Sequence, residues 1–216
     1  MIKYSSIEGS IMVDGHAIIS AANLRHIGGN FVSKTSERIY VPNLMTVGGH
    51  IHLMHSFLLK APRLRHVGGN VMLAGYVPPS LETVGGRLGV SWSLSLHAPK
   101  LKHVGGYFIP HKCTELIVPS LETVGYGLLV THAATRIDAP KLHSVGGDFL
   151  AGMVSEIRAQ LLRSVRGDLD TRSATDFYHS DIRVGGEWTY SPMAAENWLR
   201  RQRARIAMRG DGPLYL

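Results

Sequence analysis

The chain has 216 residues, 44% hydrophobic and 18% charged, with a formal net charge of +7 and a single cysteine. That balance excludes a disordered or collagen-like chain, and a lone Cys113 excludes an internal disulfide, which suits a reducing compartment. No basic segment followed by a long apolar run opens the chain, and no stretch has the length of a bilayer span, so the expected location is cytoplasmic, or that of an exported effector without a readable signal.

From the first coil onward one short mark returns. It begins at Ile7-Glu8-Gly9 and continues through Ile27-Gly28-Gly29, Val47-Gly48-Gly49, Val67-Gly68-Gly69, Val84-Gly85-Gly86, Val104-Gly105-Gly106, Val124-Gly125-Tyr126 and Val145-Gly146-Gly147. Degenerate copies follow at Val165-Arg166-Gly167 and Val184-Gly185-Gly186. The steps are 20, 20, 20, 17, 20, 20, 21, 20 and 19 residues. A constant period of this size predicts a solenoid, in which one coil cannot bury its apolar face without its neighbours. The expected fold is mainly β: a right-handed solenoid of about ten coils over residues 1–190. At the spacing of parallel strands it would form a rod about 50 Å long.

Within a coil, a leucine stands three before the mark (Leu24, Leu44, Leu64, Leu81, Leu101, Leu121, Leu142, Leu162) and a proline five before it (Pro42, Pro62, Pro79, Pro99, Pro119, Pro140). After the glycines, Ile51/Leu53, Val71/Leu73, Leu88/Val90 and Leu128/Val130 alternate with the residues between them, as in a strand with one buried face. A second apolar segment centres on Ile39, Leu59, Leu96, Leu116, Ile137 and Ile157 and ends at the proline. The expected coil therefore has two strand-like sides and two corners. Glycine serves a tight corner or a close backbone approach, and proline stops the second strand. The short step from Val67 to Val84, carrying Pro78-Pro79, reads as a coil that has lost a corner loop.

Pro-x-Leu-x-x-Val-Gly-Gly resembles the leucine-rich-repeat-like coils of receptor L domains and fungal cell-wall proteins, and is similar to Gly-Gly repeat proteins of bacteria and phage. The resemblance spans about residues 5–190 and implies the fold rather than one activity. The Asn ladder of ordinary leucine-rich repeats is missing from the pattern, which implies a variant coil. Alternate coils are most alike: Arg25-His26, Arg65-His66 and Lys102-His103 alternate with Glu82-Thr83 and Glu122-Thr123, as expected of a duplicated two-coil unit. Arg65, Glu82, Lys102 and Glu122 would then form a ladder of alternating charge.

Beyond Val184-Gly185-Gly186 the pattern changes. Ser191-Pro192 predicts a helix start, followed by Met193, Trp198, Leu199 and Ile206 among five arginines in residues 191–216. This segment is expected to cap the open end of the solenoid, with binding to nucleic acid or an anionic surface as its alternative role. Residues 1–6 offer no comparable cap, so a homodimer covering the first coil is also expected.

Three groups are candidate sites. Five after the mark stand Val32, His52, Met72, Gly89, Ile109, Leu129, Leu150 and Asp170, which alternation places outside the core although five of them are large and apolar. With Trp92 and Tyr107 beside them, Val32, His52, Met72, Ile109, Leu129 and Leu150 are the expected partner-binding residues. Asp148, Asp168 and Glu187, with Asp170 nearby, form a carboxylate ladder. Such a ladder suits a cation or a glycosidase acid pair, unless Arg166, Arg172 and Arg183 neutralise it. His50 and His52, with His55, share a strand in a pattern compatible with zinc or copper, while His26, His66 and His103 are too far apart to share an ion. No nucleophile elbow, phosphate loop or CxxC is present, and the Gly-Gly marks lack a dinucleotide-binding setting. The expectation is a non-enzymatic scaffold with a protein partner and no catalytic residue, metal, cofactor or membrane insertion; a carbohydrate-directed solenoid and a nucleic-acid binder are the alternatives.

Overall fold

The computed structural model describes residues 5–13, 18–34, 38–53, 58–130, 134–177 and 181–209. The chain winds into stacked coils joined by parallel sheets, followed by one helix, Pro192–Arg209. Two sheets have ten strands each among the described residues, one rung for each of the ten marks. At about 4.8 Å per strand, nine steps carry the stack roughly 43 Å.

The cross-section has three strand-bearing sides rather than two. The mark's own Val and the residue before it form a short strand, as in His26–Ile27, Thr46–Val47 and His66–Val67, and these pair across all ten rungs. Two residues are too few for alternation to reveal a strand, so this side was hidden in the sequence. The second ten-stranded sheet is the one that alternation predicts. Phe31, Ile51, Val71, Leu88, Phe108, Leu128, Phe149 and Leu169 fill its inner column. The third side is divided into a three-stranded sheet (Ile18–Ser20, Arg38–Tyr40, Leu58–Lys60) and a four-stranded sheet (Ser95–His97, Glu115–Ile117, Arg136–Asp138, Glu156–Arg158). The break falls at the 17-residue coil, which is too short to supply a strand there.

The leucine three before each mark is buried in every one of the eight coils that carry it. Its N–H closes a β-turn onto the residue three earlier, as in Leu44 to the Val41 carbonyl (3.1 Å) and Leu121 to the Val118 carbonyl (3.0 Å). The proline therefore occupies the second position of that turn, where its fixed φ is already correct. Its role is to build the corner as well as to end the strand.

At most rungs the first glycine of the mark serves a close approach and not a positive φ, with Arg166 standing in its place on one rung. A Cβ at Gly105 would fall inside the van der Waals boundary of the Gly85 carbonyl oxygen on the rung below. Gly75 is the described glycine with a left-handed φ, +83°, at the sharp exit of the short coil from the second sheet.

The helix sits against the last coil. Ser191 is buried and its carbonyl accepts the Ala194 N–H (3.0 Å), while Ala194 is buried beneath the first turn. Asn197 Nδ2 donates to the Thr175 carbonyl (3.3 Å), and Arg201 pairs with Asp176 (2.8 Å). Among the described residues no helix is long and apolar enough to cross a membrane.

Candidate partner-binding face

The second sheet sets the register of the candidate face. Met12, Val32, His52, Met72, Gly89 and Ile109 are successive partners in one row, and Leu129, Leu150, Asp170 and Thr189 continue it. Alternation keeps these side chains outside because their neighbours Phe31, Ile51, Val71, Phe108 and Phe149 are buried. Val32, Met72, Ile109, Leu129 and Leu150 are half-buried, His52 is exposed, and Met12 is 67% exposed. Met12 belongs to the face although it was not among the expected residues. The signal was present: it stands five after Ile7, as Val32 stands five after Ile27.

Gly89 leaves a gap in the row that Met72 fills. A Cβ there would meet Met72 Sδ at 2.6 Å and Cε at 2.8 Å, so the methionine lies across the next strand. Toward the C-terminal end, Val130, Leu150, Gly152, Met153, Asp170 and Arg172 line a hollow of about 360 Å³. Met153 is 59% exposed there, and Arg172 grips Asp170 with two bonds, Nε at 2.9 Å and Nη2 at 2.7 Å.

Trp92 and Tyr107 flank the row at opposite ends of their strands. Tyr107 precedes Phe108–His111 and stacks on Tyr126, centroids 5.6 Å apart. Trp92 follows Leu88–Ser91, is 69% exposed, and has a left-handed φ of 64°. Lys112, in the equivalent place one rung on, has φ 55° and holds its ammonium 3.9 Å from the Trp92 ring centroid. Gly75 occupies the same place one rung earlier, so this column demands a conformation that costs non-glycine residues energy.

The second candidate, the carboxylate ladder, has a structural role. Three after each mark runs a column in which a side chain accepts the backbone N–H of the next rung. Asn30 N–H donates to Ser10 Oγ (2.9 Å), His50 N–H to Asn30 Oδ1 (2.7 Å), Asn70 N–H to His50 Nδ1 (2.8 Å) and Arg87 N–H to Asn70 Oδ1 (2.8 Å). The column resumes with Asp168 N–H donating to Asp148 Oδ1 and Glu187 N–H to Asp168 Oδ1, both 2.9 Å. A ladder of acceptors is therefore present after all, built from mixed residues in place of asparagine alone. Of the three arginines expected to neutralise the carboxylates, Arg172 makes the described pair, with Asp170.

His50 is engaged in that ladder through Nδ1, His52 lies in the outer row, and His55 falls outside the described residues. Among the described residues no group of three or more His, Cys, Asp or Glu is arranged to hold a metal. His26, His66 and His103 each bond through Nδ1 to the threonine of the next rung: Thr46, Thr83 and Thr123. That pairing gives the two-coil alternation a physical reason. Arg65 and Glu82 approach to 3.9 Å, the described pair of the expected charge ladder.

Comparison with protein-family models, with curated proteins and with solved structures finds no match to this chain.

Proposed function

We propose that the protein is a non-enzymatic scaffold that presents the outer face of its second ten-stranded sheet to a protein partner, a second copy of the chain being one such partner. The observation that carries this reading is the row itself: Met12, Val32, Met72, Ile109, Leu129 and Leu150 fall in one line across the sheet. His52 interrupts the line between Val32 and Met72, and Met72 itself covers the gap at Gly89; an exposed line of large apolar residues with polar groups beside it has the surface character of interaction sites. Trp92, exposed and held in a costly conformation with Lys112 over its ring, supplies an aromatic anchor at the edge.

The test pairs Met72→Glu with Leu129→Glu. Both side chains stand outside the core, so circular dichroism should be unchanged while the mass by light scattering, or a partner retained by immobilised protein, is lost. Association that survives both substitutions would remove this face from the account.

A further inference from the structure

The third side of the coil carries a hollow separate from the candidate face. Ser20, Tyr40 and Lys60 are successive register partners on the three-stranded sheet, outside the core that Ile39 and Leu59 fill. With Pro42, Pro62 and Tyr76 they line an open surface hollow of about 570 Å³, within the range of small-molecule sites. Its cause is the 17-residue coil. Having no strand to add beside Leu58–Lys60, that coil turns at Gly75 and passes from Tyr76 through buried Val77 directly to Pro78. Tyr76, 40% exposed, thereby becomes a wall of the hollow where a regular coil would continue the sheet.

The lining dictates the chemistry of a ligand. Two tyrosines and two prolines offer flat apolar surface, and among the described residues that line the hollow Lys60 is the charged one, its ammonium 5.3 Å from the Tyr40 ring centroid. Burial pushes the Tyr76 hydroxyl above its usual pKa, so it remains a hydrogen-bond donor. The neighbouring chain is basic on balance: Arg38 opens the strand that holds Tyr40, and Arg63 follows Pro62, while Glu37 lies outside the described residues. No carboxylate pairs with Lys60 among the described residues.

We infer that this notch is a binding site for a small aromatic carboxylate, its ring held among Tyr40, Tyr76 and the prolines and its carboxylate on Lys60. This is independent of the partner-binding face. The probe is 2-naphthoate, titrated into the full chain by calorimetry, with 2-naphthamide and acetate as controls. The expected result is saturable naphthoate binding below about 1 mM, at least about tenfold weaker binding of the amide, and no measurable binding of acetate. Lys60→Gln should erase the preference for acid over amide, and Tyr40→Leu and Tyr76→Ala should each weaken naphthoate about tenfold, with circular dichroism unchanged. Met72→Glu should leave the titration as it is, which separates failure here from failure of the protein-binding reading. Absence of saturation up to about 5 mM would overturn the inference. So would equal binding of acid and amide, acetate binding as well as naphthoate, or a proline-rich peptide binding where naphthoate does not.

Discussion

Asp168→Ala separates a structural from a chemical role for the carboxylate column. Asp168 Oδ1 accepts the Glu187 N–H at 2.9 Å, and a Cβ at Gly186 would collide with that same oxygen, so the glycine is there to admit it. Alanine removes the acceptor. A hydrogen bond to a charged group contributes about 1.5–3 kcal/mol when shielded, but Asp168 is exposed and water can replace it, so the expected loss is about 1 kcal/mol. For a chain of this size that lowers the melting temperature by roughly 2–4 °C. Asp168→Asn keeps an oxygen in place and should recover most of the loss. Hydrogen exchange reads the bond directly: the Glu187 amide should lose protection in the alanine variant and keep it in the asparagine variant. If both variants melt alike, or Glu187 exchange is indifferent to them, the ladder does not hold the rungs as described.

Gly105→Val should cost about 1–3 kcal/mol, because its Cβ meets the Gly85 backbone carbonyl and the rungs must shift to admit it, although Arg166 shows that one rung takes a side chain at this place; thermal denaturation checks this. Cys113 is buried and its thiol donates to the Glu115 carbonyl at 2.8 Å. Burial raises its pKa, so in the native protein it should react slowly with iodoacetamide. The stability gained by keeping it neutral is complete below the pKa of the unfolded thiol and is lost as pH rises through the folded value. Cys113→Ala should therefore flatten the alkaline limb of the stability curve, measured by urea denaturation across pH.

The parts of this fold that the sequence discloses are those with enough repeats of a simple pattern. Val47, Val67 and Val104 give the period, the Ile51/Leu53 alternation gives the inner and outer faces of the second sheet, and with them the Val32 to Leu150 row. The strand at the mark itself was hidden because two residues cannot show alternation. Of the acceptor column, only its carboxylate end at Asp148, Asp168 and Glu187 is legible in the sequence, for another reason. Backbone N–H groups need only an acceptor of suitable reach, and Ser10, Asn30, His50 and Asp148 satisfy that chemistry while sharing no identity. The notch is least legible of all. Tyr76 comes from the 17-residue coil, so no alignment on the mark sets it beside Tyr40 and Lys60.

The central claim is that the half-exposed apolar residues of the second sheet share one straight row in which successive positions lie a rung apart. Nitroxide labels placed in pairs at Val32 with Ile109, Leu129 or Leu150, and read by double electron–electron resonance, test it most directly. Four, five and six rung steps at about 4.8 Å predict separations near 19, 24 and 29 Å, rising evenly. Distances that fail to rise by one strand spacing per rung would contradict the row and the binding face built on it.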